Sequence, residues 1–176
     1  MKKLIITTIS LFIINQFIAQ VSNSEILNFA KKNYMSLLGN IPEKNLGEYG
    51  LSTKADLKSL KFIQIFTEYS NQAGKLTPTQ NYRVMVLNKE NKPCGLLTVF
   101  NSNSTLSVVD FGALELAKEL TTQKQNIKAK SLGIYRDFEK RCDYLFDNAI
   151  ANTDASYHKL FTKTIFKYND VISSPK

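Results

Sequence analysis

The sequence predicts an α+β fold: a single domain with N-terminal helices, a central antiparallel meander sheet, and helices covering one face. Three observations lead there. An amphipathic helical pattern runs over 24–38. Three β-rich runs between 82 and 111 are separated by turn clusters so short that the strands must be antiparallel neighbours. Two further helical patterns, over 113–120 and 154–168, follow strands rather than alternating with them. Elements segregated in this way suit helices layered on an antiparallel sheet.

The first residues read as an address. Lys2 and Lys3 precede sixteen uncharged, mostly apolar residues at 4–19. A spanning helix needs about 20 apolar residues, and Thr7, Thr8, Ser10, Asn15 and Gln16 interrupt this run. The pattern is that of a secretory signal peptide, 1–19, cleaved to leave 20–176 as one α+β domain. Small residues at Ala19 and at Ser22 to Ser24 both offer cleavage positions, and no Cys follows the apolar run to take a lipid. The expected location is outside the cytoplasm, periplasmic or secreted.

The elements follow in order. Ile26, Ala30, Tyr34 and Leu37/Leu38 recur at helical spacing behind Ser24, and Gly39, Asn40 and Pro42 end that helix. Ser52-Thr53 with Asp56 marks a second, shorter start. Residues 62–69 are β-rich, and a polar loop is expected over Ser70 to Gln80, with Gly74 and Pro78. Strands follow at 82–87, 94–100 and 105–111; Gly112 breaks the pattern, and a short helix runs from Ala113 to Leu120. Residues 131–138 and 141–146 suit two more strands, and Tyr157, Phe161, Ile165 and Tyr168 suit a last helix. The plan resembles cystatin-like and nuclear-transport-factor-like folds, a likeness of architecture that implies no activity.

Composition excludes several classes. The chain has 23 Lys+Arg, 15 Asp+Glu, one His, two Cys and no Trp, a net charge of +8. Loss of Lys2 and Lys3 would leave 21 bases against 15 acids, or +6, on about 157 residues. With 43% hydrophobic residues the chain is too apolar for disorder. One His and two Cys cannot make a zinc finger or ribbon, and no pattern calls for a metal or other cofactor. Cys94 and Cys142 lie 48 positions apart. In an oxidising compartment a bridge between them would stabilise by about 3–4 kcal/mol in the chain-entropy picture; the alternative is two buried thiols.

Nucleophilic catalysis has one conceivable set, Cys142 with His158 and Asp143 or Asp147, and no G-x-S-x-G elbow is present. Asp110-Phe111-Gly112 matches the metal-holding tripeptide of kinases, but the phosphate loop and catalytic loop that must accompany it are missing. Asp110 is expected to cap the following helix, and Gly112 to permit the corner. Carboxylates for acid–base work would come from Glu68, Glu115/Glu119 or Asp137/Glu139. Glu115 and Glu119, at i and i+4, read as ordinary solvated surface.

The basic residues give the candidate binding surface. Lys124, Lys128, Lys130 and Arg136 span 13 residues without an acid, and Lys159, Lys163 and Lys167 share one face of the last predicted helix. Such a face suits an anionic protein, an acidic glycan or a membrane surface, though a solvated lysine face accounts for the same pattern. Nucleic acid is not expected, with only three Arg and no helix-turn-helix or RNP pattern. Three functions are thereby framed: an exported non-enzymatic binding domain, an inhibitor or immunity-type protein acting on an enzyme, and a hydrolase with its acids on the sheet. Aromatic residues over a concave sheet would mark the first, a protruding Ser70–Gln80 loop the second, and a pocket lined by several acids the third.

Overall fold

Strand alternation organises the molecule, a computed structural model that describes residues 21–72, 75–123, 131–139, 142–148 and 166–167. The strands are β1 (Lys61–Gln72), β2 (Lys75–Leu87), β3 (Pro93–Ser102), β4 (Thr105–Gly112), β5 (Leu132–Asp137), β6 (Cys142–Asp147) and β7 (Phe166–Lys167). They form one sheet in the order β4-β3-β2-β1-β5-β6-β7. The run β2 to β4 is the expected antiparallel meander, and β1 extends it by a fourth antiparallel strand. β5 lies parallel to β1, with Phe66 opposite Leu132. Parallel neighbours need a crossover rather than a hairpin, and helix α3 (Leu114–Gln123) lies within that crossover.

Successive strand residues face opposite sides of a sheet. On β2, Val84 and Val86 are buried on one face, while Met85 and Leu87 are buried on the other. The first face is covered by α1 (Asn23–Asn33), α2 (Met35–Leu38) and two 3-10 turns, Glu43–Tyr49 and Lys54–Ser59. Ile26, Ala30, Leu38, Leu46 and Leu57 from these segments pack on Phe62, Ile65, Val84, Val86, Leu97 and Val99. On the second face Leu116, Ala117 and Leu120 of α3 pack on Phe66, Met85, Leu87 and Leu96. Helices therefore cover both faces, and the expectation of one covered face is corrected. A continuous apolar run such as Val84 to Leu87 requires cover on both sides.

Local chemistry explains the helical segments. Ser22, two residues before the expected cap, starts α1: Glu25 N–H donates to Ser22 Oγ (3.2 Å) and Ser22 N–H to Glu25 Oε2 (2.8 Å). Asp56 Oδ2 accepts from the N–H groups of Ser52 (3.0 Å) and Thr53 (2.9 Å), so the predicted second start holds, as a 3-10 turn. These bonds hold both carboxyls below their ordinary pKa, Glu25 through Ser22 and Asp56 through Thr53 and Ser52. Lys54 Nζ donates to Gly39 O (2.6 Å) and to Ile41 O, tying that turn to the end of α2. No helix among the described residues is long and apolar enough to cross a membrane.

The segment from Ser70 to Gln80, expected as a loop, is mostly strand, with Gln72 paired to Lys75 and Tyr69 to Pro78. Pro78 is tolerated because β3 joins β2 only from Asn81 onward, so the missing N–H costs no ladder bond there. At the end of β4 the left-handed conformation falls on Ala113 (φ 56°) rather than on Gly112. Of the helix expected over 154–168, only Phe166 and Lys167 are described, and they pair as a strand with Asp143 and Cys142.

Gly95 has φ 149°, and a Cβ there would lie 2.7 Å from Gly112 O. Gly95→Ala is expected to lower stability by about 2–3 kcal/mol, read from the urea midpoint at unchanged m. Nothing lies within 4 Å of a Cβ at Gly47, so Gly47→Ala should stay within about 0.5 kcal/mol.

Candidate functional site

Beyond α3 the second face turns polar. Glu68, Arg83, Thr98 and Asp110 stand side by side across β1 to β4 on that face. Arg83 Nε donates to Glu68 Oε2 at 2.7 Å and its Nη1 to Thr98 Oγ1 at 2.7 Å, with Asp110 Oδ2 3.6 Å away. Asn81 Nδ2 donates to Glu68 Oε1 at 3.3 Å. On β5 and β6, Arg136 grips Asp143 with both prongs, Nε to Oδ1 at 3.0 Å and Nη2 to Oδ2 at 3.3 Å. The Asp143 side chain is 1% exposed. A carboxylate that deep needs such a partner, and the planar guanidinium meets both oxygens at once.

A bulge places Glu68. Between the pairs Thr67–Tyr82 and Tyr69–Pro78, three β2 residues stand opposite that one β1 residue. Two of the three hold it: Thr79 Oγ1 donates to the Glu68 carbonyl (3.0 Å), and Asn81 reaches its carboxylate. Bulges commonly aim a side chain in this way.

Glu68, Arg83, Arg136 and Asp143 line a cavity of about 450 Å³, with Leu116, Ile134 and Phe138 as apolar wall and Ser70, Thr79, Asp137 and Glu139 completing the polar side. Phe138 stands 81% exposed beside it. Glu68, Asp137, Glu139 and Asp143 thus come together, while Glu115 and Glu119 stay on α3, bonded to Lys118 and Gln123. Asp110 is a strand residue reaching Arg83 and does not sit at the start of α3, which corrects its expected role as a cap.

The basic surface fares differently. Lys124, Lys128, Lys130, Lys159 and Lys163 lie outside the described residues. Arg136 lines the cavity paired with Asp143, and Lys167 sits on the two-residue β7 with extended backbone, so the helical stripe does not reach it. His158 also lies outside the described residues. Cys142 and Asp143, neighbours on β6, face opposite sides, and Asp143 is engaged by Arg136.

Of the two states left open for the cysteines, the structure has the buried thiols. Cys94 and Cys142 are free and buried, on β3 and β6. Three strands separate them, about 19 Å at the usual strand spacing, against about 7 Å for a bridge. Burial, with the Glu90 charge second, pushes the Cys94 thiol up to about 11, so it stays protonated and inert at neutral pH.

Sequence reasoning missed Arg83 and Asp143 as centres of the site. Arg83 had a signal: a lone cation opening the apolar run Val84 to Leu87 must find a buried partner. Among the described residues no cluster of His, Cys, Asp or Glu is placed to hold a metal ion. No family model, no curated protein and no solved structure matches the chain.

Asp143→Asn removes the charge that both prongs of Arg136 grip and should cost about 3 kcal/mol in urea unfolding. The double variant Arg136→Met/Asp143→Leu should recover most of that loss, because it removes both charges together.

Proposed function

We propose that the chain is an exported, non-enzymatic binding domain that takes a small amphipathic ligand into the cavity of the second face. The observation that carries this reading is the cavity's composition. Its size of about 450 Å³ falls in the range of small-molecule sites. Leu116, Ile134 and Phe138 offer an apolar wall for the body of a ligand, opposite two Arg–carboxylate pairs that can orient a polar head. Arg83 and Arg136 bond to carboxylates of their own chain, an arrangement that holds geometry rather than transferring protons. Export rests on Lys2, Lys3 and the apolar run 4–19.

A second reading has an observation behind it. Four carboxylates, Glu68, Asp137, Glu139 and Asp143, share the cavity wall, which suits a hydrolase working by acid and base. Ser70 to Gln80, whose shape was to mark the inhibitor reading, is a largely paired hairpin rather than a loop. The binding and hydrolase readings part on one outcome: a binding domain returns its ligand unchanged, and a hydrolase does not.

Anilinonaphthalene sulfonate, an amphipathic dye, should fluoresce on the folded protein and be displaced by the natural ligand. Ser70→Trp puts a large ring into the wall and should weaken dye binding at least tenfold, with a thermal midpoint near that of the wild type. Equal dye binding in both proteins would sink the cavity reading. Export is checked by sequencing the N-terminus of the protein recovered from its host. A start between about residues 20 and 25 outside the cytoplasm is expected, and an intact Met1 in the cytoplasm would defeat it.

A further inference from the structure

We infer that the opposite, first face carries a separate binding site for a neutral, polyhydroxylated ligand of the carbohydrate class. A cavity of about 530 Å³ opens there beyond the part of the sheet covered by α1 and α2, with Thr67, Tyr69, Gln80, Tyr82, Asn101 and Asn148 in its wall. Strand alternation sets most of its wall apart from the ionic cavity: Thr67 and Tyr82 face this side and Glu68 and Arg83 the other, while Tyr69 and Thr79 line both.

Two features point to the ligand. First, none of the described lining residues carries an ionised side chain. A charged ligand would lose its hydration there with no countercharge, so the site selects a neutral one. Second, two buried amide oxygens are unsatisfied. Asn101 is 6% exposed, and its Oδ1 has no hydrogen-bond partner. Asn148 Nδ2 donates to Ser131 Oγ (2.6 Å) and Thr67 Oγ1 (3.3 Å), yet its Oδ1 is also without one. Buried polar atoms left in this state are rare and costly. They call for a donor, and a hydroxyl supplies one while its own oxygen accepts from a neighbouring amide or phenol.

The backbone is shaped around these amides. Gly133 sits beneath Asn148, where an added Cβ would lie 2.5 Å from its Oδ1 and from the Phe146 ring. The terminal torsion of Asn is soft, so the Asn101 oxygen can swing toward an arriving hydroxyl, whereas the Asn148 amide is held by its Nδ2 bonds to Ser131 and Thr67. Tyr69 and Tyr82 also line the cavity, each at least nine-tenths buried. Burial, then the neighbouring Tyr82, raises the Tyr69 pKa, keeping its phenol a neutral donor.

The two cavities share Tyr69 and Thr79 but no residue varied below, so each is tested separately. Titration of the mature chain with maltose and with glucose, followed by calorimetry and tyrosine fluorescence, should show saturable binding. Glucuronate and glucosamine, which add a charge, should bind at least tenfold more weakly than glucose. Asn101→Leu should weaken maltose at least tenfold while raising the melting temperature, because it removes an unsatisfied buried group. Gln80→Ala, exposed at the rim, should weaken maltose severalfold at unchanged melting temperature, a readout that does not depend on the Asn101 variant. Ser70→Trp, which tests the other face, should leave maltose affinity unchanged. Absence of saturable sugar binding, equal binding of the charged sugars, or wild-type affinity in Asn101→Leu and Gln80→Ala would each overturn the proposal. So would a lower melting temperature in Asn101→Leu, since Asn101 would then be satisfied within the fold.

Discussion

The position of β1 and β2 at the centre of the sheet sets the terms for everything else. Each has neighbours on both sides, so their backbones are satisfied and their two faces must both be kept from water. The helices do this only in part. α1, α2 and the 3-10 turns cover the end of the first face around Phe62, Val84 and Val86, and α3 covers Phe66, Met85 and Leu87 on the second. Past the reach of those helices, toward the Tyr69 end of β1, each face carries a cavity. Both cavities therefore follow from helices shorter than the sheet they pack on.

The second face solves its exposure with charge. Arg83, opening the apolar run of β2, ties β1 to β3 through Glu68 and Thr98. Arg136 and Asp143 do the same across β5 and β6. Pairs of this kind offset desolvation rather than adding much net stability, so their contribution lies in fixing positions. The bulge at Glu68 completes the arrangement, since Thr79 and Asn81 gain their contacts only because β2 has residues to spare there.

Much of the sheet was legible in the sequence because turn clusters such as Asn88 to Lys92 separate β-rich runs, and period-two burial then follows from the pleat. The Thr53 cap was legible for the same local reason, since Asp56 sits three residues on, whereas the cap of α1 falls on Ser22 rather than Ser24. Long-range consequences were not. Nothing local shows that α3 carries the chain back to place β5 beside β1, and with that crossover unseen, helices on one face were expected. Ser70 to Gln80 looked like a loop because Gly74 and Pro78 usually break strands, yet Pro78 falls where β2 has no β3 neighbour. Cys94 and Cys142 could be counted but not located, and the sheet order separates them. Of the site, Arg136 was singled out as surface charge, whereas its partner Asp143 makes it part of a wall.

The difference in character between the cavities is itself a register property. On β1, Thr67 and Tyr69 flank Glu68, and on β2, Tyr82 precedes Arg83; the odd one out in each case faces the ionic side. A slip of one residue would exchange every side chain between faces, burying Glu68 among aromatics and exposing Tyr69. The two bulges, at Ile63 and opposite Glu68, are where the β1–β2 ladder absorbs its irregularity, and the regular pairing of Gln64 to Thr67 with Met85 to Tyr82 lies between them. That stretch holds Phe66 and Met85 under α3 while keeping Ile65 and Val84 under α1. A fixed apolar register in the middle of the two strands thus determines which chemistry each end presents. One face receives paired ions and the other unsatisfied amides with tyrosines.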